Sequence, residues 1–375
     1  MEQQVIIQQL STGALPYMQR VDNCNEWLRT YLAGANKVLV VCGRASYTAC
    51  GAEKVIEQLQ SVSDAEYKFF YDFSANPKEE EVIKGEELCK QFHPDSIIAI
   101  GGGSVMDMAK LIRHHAKIFV PLIAIPTTAG SGAESTKFAV CYIKGAKQSI
   151  EVPEMLPNIA ILMPELTMSG NKYLTATCAF DAFAQAIEAY WNRLATDESD
   201  YFSKEAIVML FFGLTQFIES RGSCIVQRSW REMMMGGANM AGQAINLTRT
   251  TAPHAMSYIL TSKYGYPHGH AVALTFPYFA KLNILCPHDQ YTGINYDTFH
   301  EKMIWLAKCL GLDRQQDIAV TLQKFIKALG LGYKEETKVD ISLVAQSVNL
   351  ERAGNNPHKI TAEIINKAAE SIIRQ

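Results

Sequence analysis

The sequence has no C-x-x-C pair, although it contains nine cysteines among 375 residues. An odd number of scattered cysteines fits free thiols in a reducing cytosol better than a disulfide framework. Each is expected to behave as a small buried apolar residue. Charge is also scarce, at 19% of residues, and nearly balanced, with 35 basic against 38 acidic side chains. With a net charge of -3 and no long basic run, nucleic acid is not an expected partner. No apolar run approaches a membrane span, the stretch around Phe211-Phe212 being too short. The opening Met1-Glu-Gln-Gln lacks the basic and apolar regions of a signal peptide. The expectation is therefore a soluble cytoplasmic protein with no membrane partner. Hydrophobic residues, at 48%, are ample for a core, and the length favours two domains over one.

The first half alternates strand-like and helical stretches. Val38–Val41, Tyr67–Tyr71, Ser96–Ile100 and Val120–Ile125 read as strands. Ala52–Leu59 and the charged run Lys78–Phe92 read as helices. Continuous apolar strands interleaved with helices imply a parallel sheet covered on both faces. Ligands then bind beyond the carboxyl ends of the strands. After about Pro164 helical periodicity dominates, in Cys178–Trp191, Tyr201–Glu219, Trp230–Ala244, Phe299–Leu310, Ile318–Leu329 and Thr361–Ile373. An α/β Rossmann-like domain over residues 1–164 followed by an all-α domain over 165–375 is expected.

Two stretches carry chemistry. Ser96–Ile100 runs into Gly101-Gly102-Gly103-Ser104-Val-Met-Asp107-Met-Ala-Lys110, a strand, a glycine turn and a helix start. Glycines let the backbone approach a phosphate, and the helix aims free N–H groups and its positive dipole end at it. The pattern is neither G-x-G-x-x-G nor a Walker loop. The second stretch places His254 and His268 fourteen positions apart, and imidazole suits a divalent metal.

Together with Phe73-Ser-Ala-Asn76-Pro77, Ile125-Pro-Thr-Thr-Ala-Gly-Ser-Gly-Ala-Glu134, Phe180–Tyr190 and Asn356-Pro-His-Lys-Ile-Thr361, these motifs make the chain resemble an iron-containing (group III) alcohol dehydrogenase of the dehydroquinate synthase-like superfamily. The resemblance extends over nearly the whole chain. It implies that Gly101 to Ser104 hold a dinucleotide pyrophosphate with Asp107 nearby. It implies too that Thr127, Thr128 and Ser131 line the nicotinamide side, and that Asn76 and Lys147 contact the nucleotide. A homodimer is the family's implied assembly. After the first strand, Cys42-Gly43-Arg44-Ala-Ser46 offers no acid for a ribose 2′-OH and a nearby cation for a 2′-phosphate. NADP-preferring members have a similar run, so NADP(H) is favoured, with NAD(H) as the alternative.

The family helix supplies Asp-x-x-x-His, with both side chains on one face. Here it reads Asp181-Ala-Phe-Ala-Gln185. The resemblance thus implies Asp181, His254 and His268 as metal ligands for Fe2+ or Zn2+. Gln185 stands where a histidine is usual, to bind through its carbonyl, hold a water or line the site. Many relatives carry a histidine four residues beyond His254, where this chain has Tyr258. The proton donor is therefore left among Tyr258, His270 and water. Arg249, Thr250 and Lys263 offer cations and a hydroxyl near the ligand-bearing region, which suits an anionic aldehyde. Thr248–Tyr258 resembles the phosphonoacetaldehyde reductase branch. The alternatives are a generic short-chain alcohol or diol dehydrogenase and a dehydroquinate synthase-like lyase, on the strength of His268-Gly-His270-Ala-Val-Ala.

Overall fold

A computed structural model of the chain describes residues 4–9, 17–20, 32–61, 63–220, 227–312 and 317–374. The first three residues, Cys24 and Cys224 lie outside the described residues. The other seven cysteines are free thiols. The chain divides into two compact units, residues 1–171 and 172–375.

The first unit is built on a seven-stranded sheet in the order β2-β1-β9-β6-β5-β3-β4. The strands are β1 (Gln4–Gln9), β2 (Tyr17–Arg20), β3 (Lys37–Cys42), β4 (Glu66–Phe70), β5 (Ser96–Gly101), β6 (Leu122–Pro126) and β9 (Ile159–Leu162). From β9 to β4 all neighbours are parallel. Side chains alternate across a strand, and the alternation here feeds two separate cores. Leu39, Val41, Ile97, Ala99, Leu122 and Ala124 pack on one face. Val38, Val40, Cys42, Ile98, Ile100, Ile123 and Ile125 pack on the other. That two-sided burial is why these strands are continuously apolar. The helices of this unit are α1 (Arg44–Ala49), α2 (Ala52–Gln60), α3 (Glu79–Phe92) and α4 (Gly103–His115).

Two features were not anticipated. An antiparallel pair extends the sheet, β1 pairing with both β2 and β9. A separate ribbon, β7 (Phe138–Ile143) with β8 (Ala146–Glu151), turns at Lys144-Gly145. Both turn residues have positive φ, 50° and 79°. That is a two-residue hairpin of the type usually flagged by Asn-Gly, and the lysine hides it.

The second unit is helical. In order it contains α5 (Lys172–Trp191), α6 (Asp197–Glu219), α7 (Gln227–Thr248), α8 (Ala252–Ser262), α9 (His268–Ala273), α10 (Phe276–Ile284) and α11 (Tyr296–Cys309), then α12 (Ile318–Ala328), α13 (Ile341–Gln346), α14 (Leu350–Ala353) and α15 (Ala362–Ile372). All six helices expected from periodicity are present. One expectation is corrected: among the described residues, α6 is long and apolar enough to cross a membrane by length and composition, at 23 residues and a mean hydropathy of 1.2. The helix continues past the Phe211-Phe212 run on both sides. Its Phe202, Ala206, Ile207, Leu210, Leu214 and Phe217 are buried within the helical unit, so protein rather than lipid covers that face.

Candidate active site

In the first unit, register brings the loops together. Gly101 pairs with Pro126 and Cys42 with Ile100. The glycine turn, the Thr127 loop and the Gly43 loop therefore leave adjacent strands at the same end of the sheet. Thr127 donates its N–H to the Gly101 carbonyl at 2.9 Å. A Cβ at Gly103 would lie 2.8 Å from the Ser131 hydroxyl, and one at Gly102 would lie 3.4 Å from that of Thr128. The glycines thus leave a cradle edged by hydroxyls at the start of α4, whose first N–H groups lack helical partners. The Ser104 hydroxyl donates to the Ala75 carbonyl, which ties the loop carrying Asn76 to the same turn.

One turn further along α4, the half-buried Asp107 accepts from the Val140 N–H at 3.1 Å. Burial pushes its carboxyl up to about 6, with the Lys110 and Lys147 charges pulling the other way. Lys110 was not singled out from sequence. It is fully buried and donates to the Thr136 hydroxyl at 3.1 Å and the Phe138 carbonyl at 3.0 Å. Desolvation lowers it to about 8. Arg44 does not simply face solvent: its guanidinium lies 2.5 Å from the Asp72 carboxylate and 4.4 Å from the centre of the Tyr71 ring.

In the second unit, α5 places Asp181, Gln185 and Glu188 at i, i+4 and i+7, one stripe of the helix. Asp181 Oδ1 lies 3.2 Å from His254 Nε2 and 3.7 Å from His268 Nε2. Ligand atoms of the three residues all lie within 4.8 Å of one another. His254 is seated in the first turn of α8, whose entry is set by Pro253. His268 opens α9 and its side chain is the most exposed of the three, at 34% against 9% for Asp181. The cluster is thus a buried site open on the His268 side.

The hydrogen bonds orient both imidazoles. Ser257 donates its hydroxyl to the His254 carbonyl at 2.8 Å and so accepts from His268 Nδ1 at 3.3 Å. His254 Nδ1 donates to Glu188 Oε1 at 2.5 Å. Both Nε2 atoms are thereby turned toward Asp181, the arrangement of a carboxylate–histidine–metal triad. Gln185 donates to Asp181 Oδ2 at 3.3 Å, and its buried Oε1 has no hydrogen-bond partner. An orphaned carbonyl oxygen beside two imidazoles and a carboxylate fits a divalent cation, and this donor set is compatible with Zn2+ and with Fe2+.

Glu188 was missed in the sequence. It is fully buried, and its other oxygen accepts from the Thr251 N–H at 2.6 Å and hydroxyl at 2.9 Å. The signal was available: an acid seven residues beyond Asp181 in an otherwise apolar helix. Glu188→Gln is expected to weaken metal binding by about 10- to 100-fold, read by chelator competition. Unchanged affinity would show that the carboxylate only anchors Thr251.

The other expected residues separate. Tyr258 lies one turn beyond His254, its ring centre 6.4 Å from that of His268. His270 is bonded at both ring nitrogens: Nδ1 meets the Tyr173 hydroxyl at 2.8 Å and Nε2 the Gly332 carbonyl at 2.9 Å. Burial lowers it to about 4, so it is a neutral, doubly bonded core side chain. Lys263 caps the far end of α8, nine residues from His254 and so about 13 Å along the axis; its neighbour is the Tyr264 ring. Arg249 follows α7 with φ 67°, a left-handed conformation rare outside glycine. Asn192 fixes it by donating to the Thr248 and Arg249 carbonyls at 3.1 and 3.2 Å. Thr250 is half-buried beside it, its carbonyl accepting from Asn355.

Two family models match the chain. Residues 19–164 match the family model described as iron-containing alcohol dehydrogenase. Residues 175–372 match that of the Fe-containing alcohol dehydrogenase family, C-terminal. Phosphonoacetaldehyde reductase of Streptomyces viridochromogenes is 30% identical over 301 residues, 73% of this chain and 75% of that protein. Aldehyde-alcohol dehydrogenase 2 of Entamoeba histolytica is 29% identical over 309 residues, 74% of this chain. The aligned stretch spans only about a third of that longer relative, 35%. The crystal structure of sulfoacetaldehyde reductase from Bifidobacterium kashiwanohense in complex with NAD+ superposes with a TM-score of 0.78 at 26% identity, covering 93% of each chain.

Proposed function

Because the chain belongs to the iron-containing alcohol dehydrogenase family, we propose that it interconverts a small anionic aldehyde and its primary alcohol with NADP(H) and a divalent metal. Residues 1–164 would bind the nucleotide and residues 165–375 the metal and substrate. Gly101–Ser104 would hold the pyrophosphate through backbone N–H groups. Thr127, Thr128, Ser131, Asn76, Asp107 and Lys147 would position the rest. Asp181, His254 and His268 would hold the metal, with Gln185 Oε1 as a fourth donor. When bound, the metal polarises the carbonyl and the reduced nicotinamide supplies hydride. Tyr258 or water would deliver the proton, since the one ring proton of His270 is held on Nε2 by the Gly332 carbonyl and its Nδ1 faces Tyr173.

NADP(H) is favoured by the absence of an acid at Gly43 and by Arg44 beside it. Asp72, which now holds Arg44, would yield it to a 2′-phosphate, which offers a stronger bidentate acceptor.

The observation that carries the substrate reading is the conformation of Arg249. An arginine at φ 67° costs about 1 kcal/mol or more relative to glycine. A strained residue held by a dedicated clamp points to a side chain kept for a task. A phosphonate or similar oxyanion is what a guanidinium binds best. The branch resemblance and the phosphonoacetaldehyde reductase relative support the same class.

The test is a panel of anionic and neutral aldehydes with NADH and NADPH, run after metal analysis. A preference for the anionic members with NADPH is expected. Butanal turned over as well as any anionic aldehyde would move the reading to a generic alcohol dehydrogenase. Arg249→Gly should separate strain from task. Thermal stability rises by about 0.5–1 kcal/mol, while the ratio of kcat/KM on the anionic aldehyde to that on butanal falls. A stabilised variant with the ratio of the unaltered enzyme would assign Arg249 no substrate role.

A further inference from the structure

Arg352 did not stand out in the sequence, yet it stacks on Tyr258, one helical turn beyond His254 in α8. It lies in the single turn of α14, opened by Asn349, whose side chain accepts from the Arg352 N–H at 3.0 Å. Its guanidinium sits 4.9 Å from the centre of the Tyr258 ring. Tyr258 in turn is 6.4 Å, ring to ring, from His268, so the guanidinium is no further than about 11.3 Å from that imidazole. The loop after α14 is tied to the Arg249 segment, Asn355 donating to the Thr250 carbonyl at 3.2 Å. The segments that carry Arg249 and Arg352 are therefore joined by this bond.

The half-buried Arg352 has no carboxylate partner among the described residues. Most partly buried guanidiniums are paired, because desolvating the charge is costly. Stacking on an aromatic face recovers part of that cost and leaves the in-plane N–H donors free. Such a group is a preorganised anion receptor.

We propose that Arg352, on its Tyr258 platform, forms the subsite for the charged end of the substrate while the carbonyl end lies at the Asp181, His254 and His268 cluster. The inference rests on the anionic-aldehyde reading and narrows it. A carbonyl oxygen and an oxyanion two carbons away are roughly 4–5 Å apart, from bond lengths near 1.5 Å. A charge-assisted bond adds about 2.8 Å, for a total of roughly 7–8 Å, which lies within the upper bound of about 11.3 Å between the guanidinium and the His268 imidazole. The ligand class is a two-carbon aldehyde ending in phosphonate, sulfonate or carboxylate.

The experiment compares the metal-loaded wild type with Arg352→Met and Arg352→Lys. Each is assayed on phosphonoacetaldehyde, sulfoacetaldehyde and butanal, with folding checked by circular dichroism. In Arg352→Met the ratio of kcat/KM on an anionic aldehyde to that on butanal is expected to fall at least about tenfold, mostly through KM. Arg352→Lys should recover part of it. Methylphosphonate, as a dead-end inhibitor, should lose potency in parallel. A wild type with no preference for anions would overturn the anionic-aldehyde reading and this subsite with it. A wild type that prefers anions, with the preference intact in Arg352→Met, would overturn the subsite alone. Equal losses on all three aldehydes would mark Arg352 as structural and overturn it as well.

Discussion

Asp181→Asn is expected to abolish metal retention and lower kcat/KM at least about 1,000-fold, since Lewis-acid stabilisation is worth several kcal/mol and each 1.36 kcal/mol is tenfold. Oδ1 of Asp181 is the atom that both His254 Nε2 and His268 Nε2 face, so it is the common vertex of the donor set. Asparagine keeps its shape and removes its charge, which confines the change to the metal. Metal content by mass spectrometry and a melting curve are the two readouts. A variant that keeps its full metal would remove Asp181 from the ligand set. The metal-free protein should show the complementary effect with pH. Burial, the strongest influence on His254, opposes a charge there, but Glu188 and Asp181 outweigh it and hold its pKa up at about 9. A proton thus competes with metal for His254 below about pH 9. Metal affinity is therefore expected to rise with pH up to that point and to fall in acid. Calorimetry in buffers of different ionisation enthalpy would detect the released proton, and its absence would contradict this charge state.

Gly269→Ala is expected to cost about 3 kcal/mol or more, the upper end of overpacking, and to empty the metal site as a consequence. A Cβ there would lie 2.0 Å from the Thr177 carbonyl oxygen, 2.9 Å from Asp181 Cβ and 3.1 Å from Asp181 N. Two of the three atoms belong to the backbone of α5, so no side-chain rotation relieves the clash. Either α9 moves away or the unit loses stability, and moving α9 carries His268 away from Asp181. Chemical denaturation and metal stoichiometry measured on the same sample separate the outcomes. A variant with full stability and full metal would show that α9 does not hold its ligand by close approach. The glycine was visible in His268-Gly-His270; its reason was not, because Thr177 is ninety-two positions away.

The central strands of the first unit were legible because they are buried on both faces and therefore continuously apolar. β3, β5 and β6 read directly from Val38–Val41, Ser96–Ile100 and Val120–Ile125. The β7–β8 ribbon was not, because β8 is mostly polar with no buried residue and the turn is Lys144-Gly145. Helices of the second unit read from periodicity, although α6 ran longer than its apolar centre implied. Among the site residues, Asp181 and Gln185 could be paired from helical spacing. Glu188 follows from the same spacing once burial shows that it faces inward.

The sequence by itself determined the class of fold, the glycine turn at the end of a strand, and the residue types that can hold a nucleotide and a metal. Those depend on local backbone chemistry and on periodicity, which are written in consecutive residues. Only the tertiary structure decided which side chains meet. It joined Glu188 to His254 across sixty-six positions and set Arg352 on Tyr258. It bonded His270 at both nitrogens and placed Lys263 at the end of α8 away from His254. A hydrogen bond forms or fails over tenths of an ångström, and helix packing sets that distance between residues far apart in the chain.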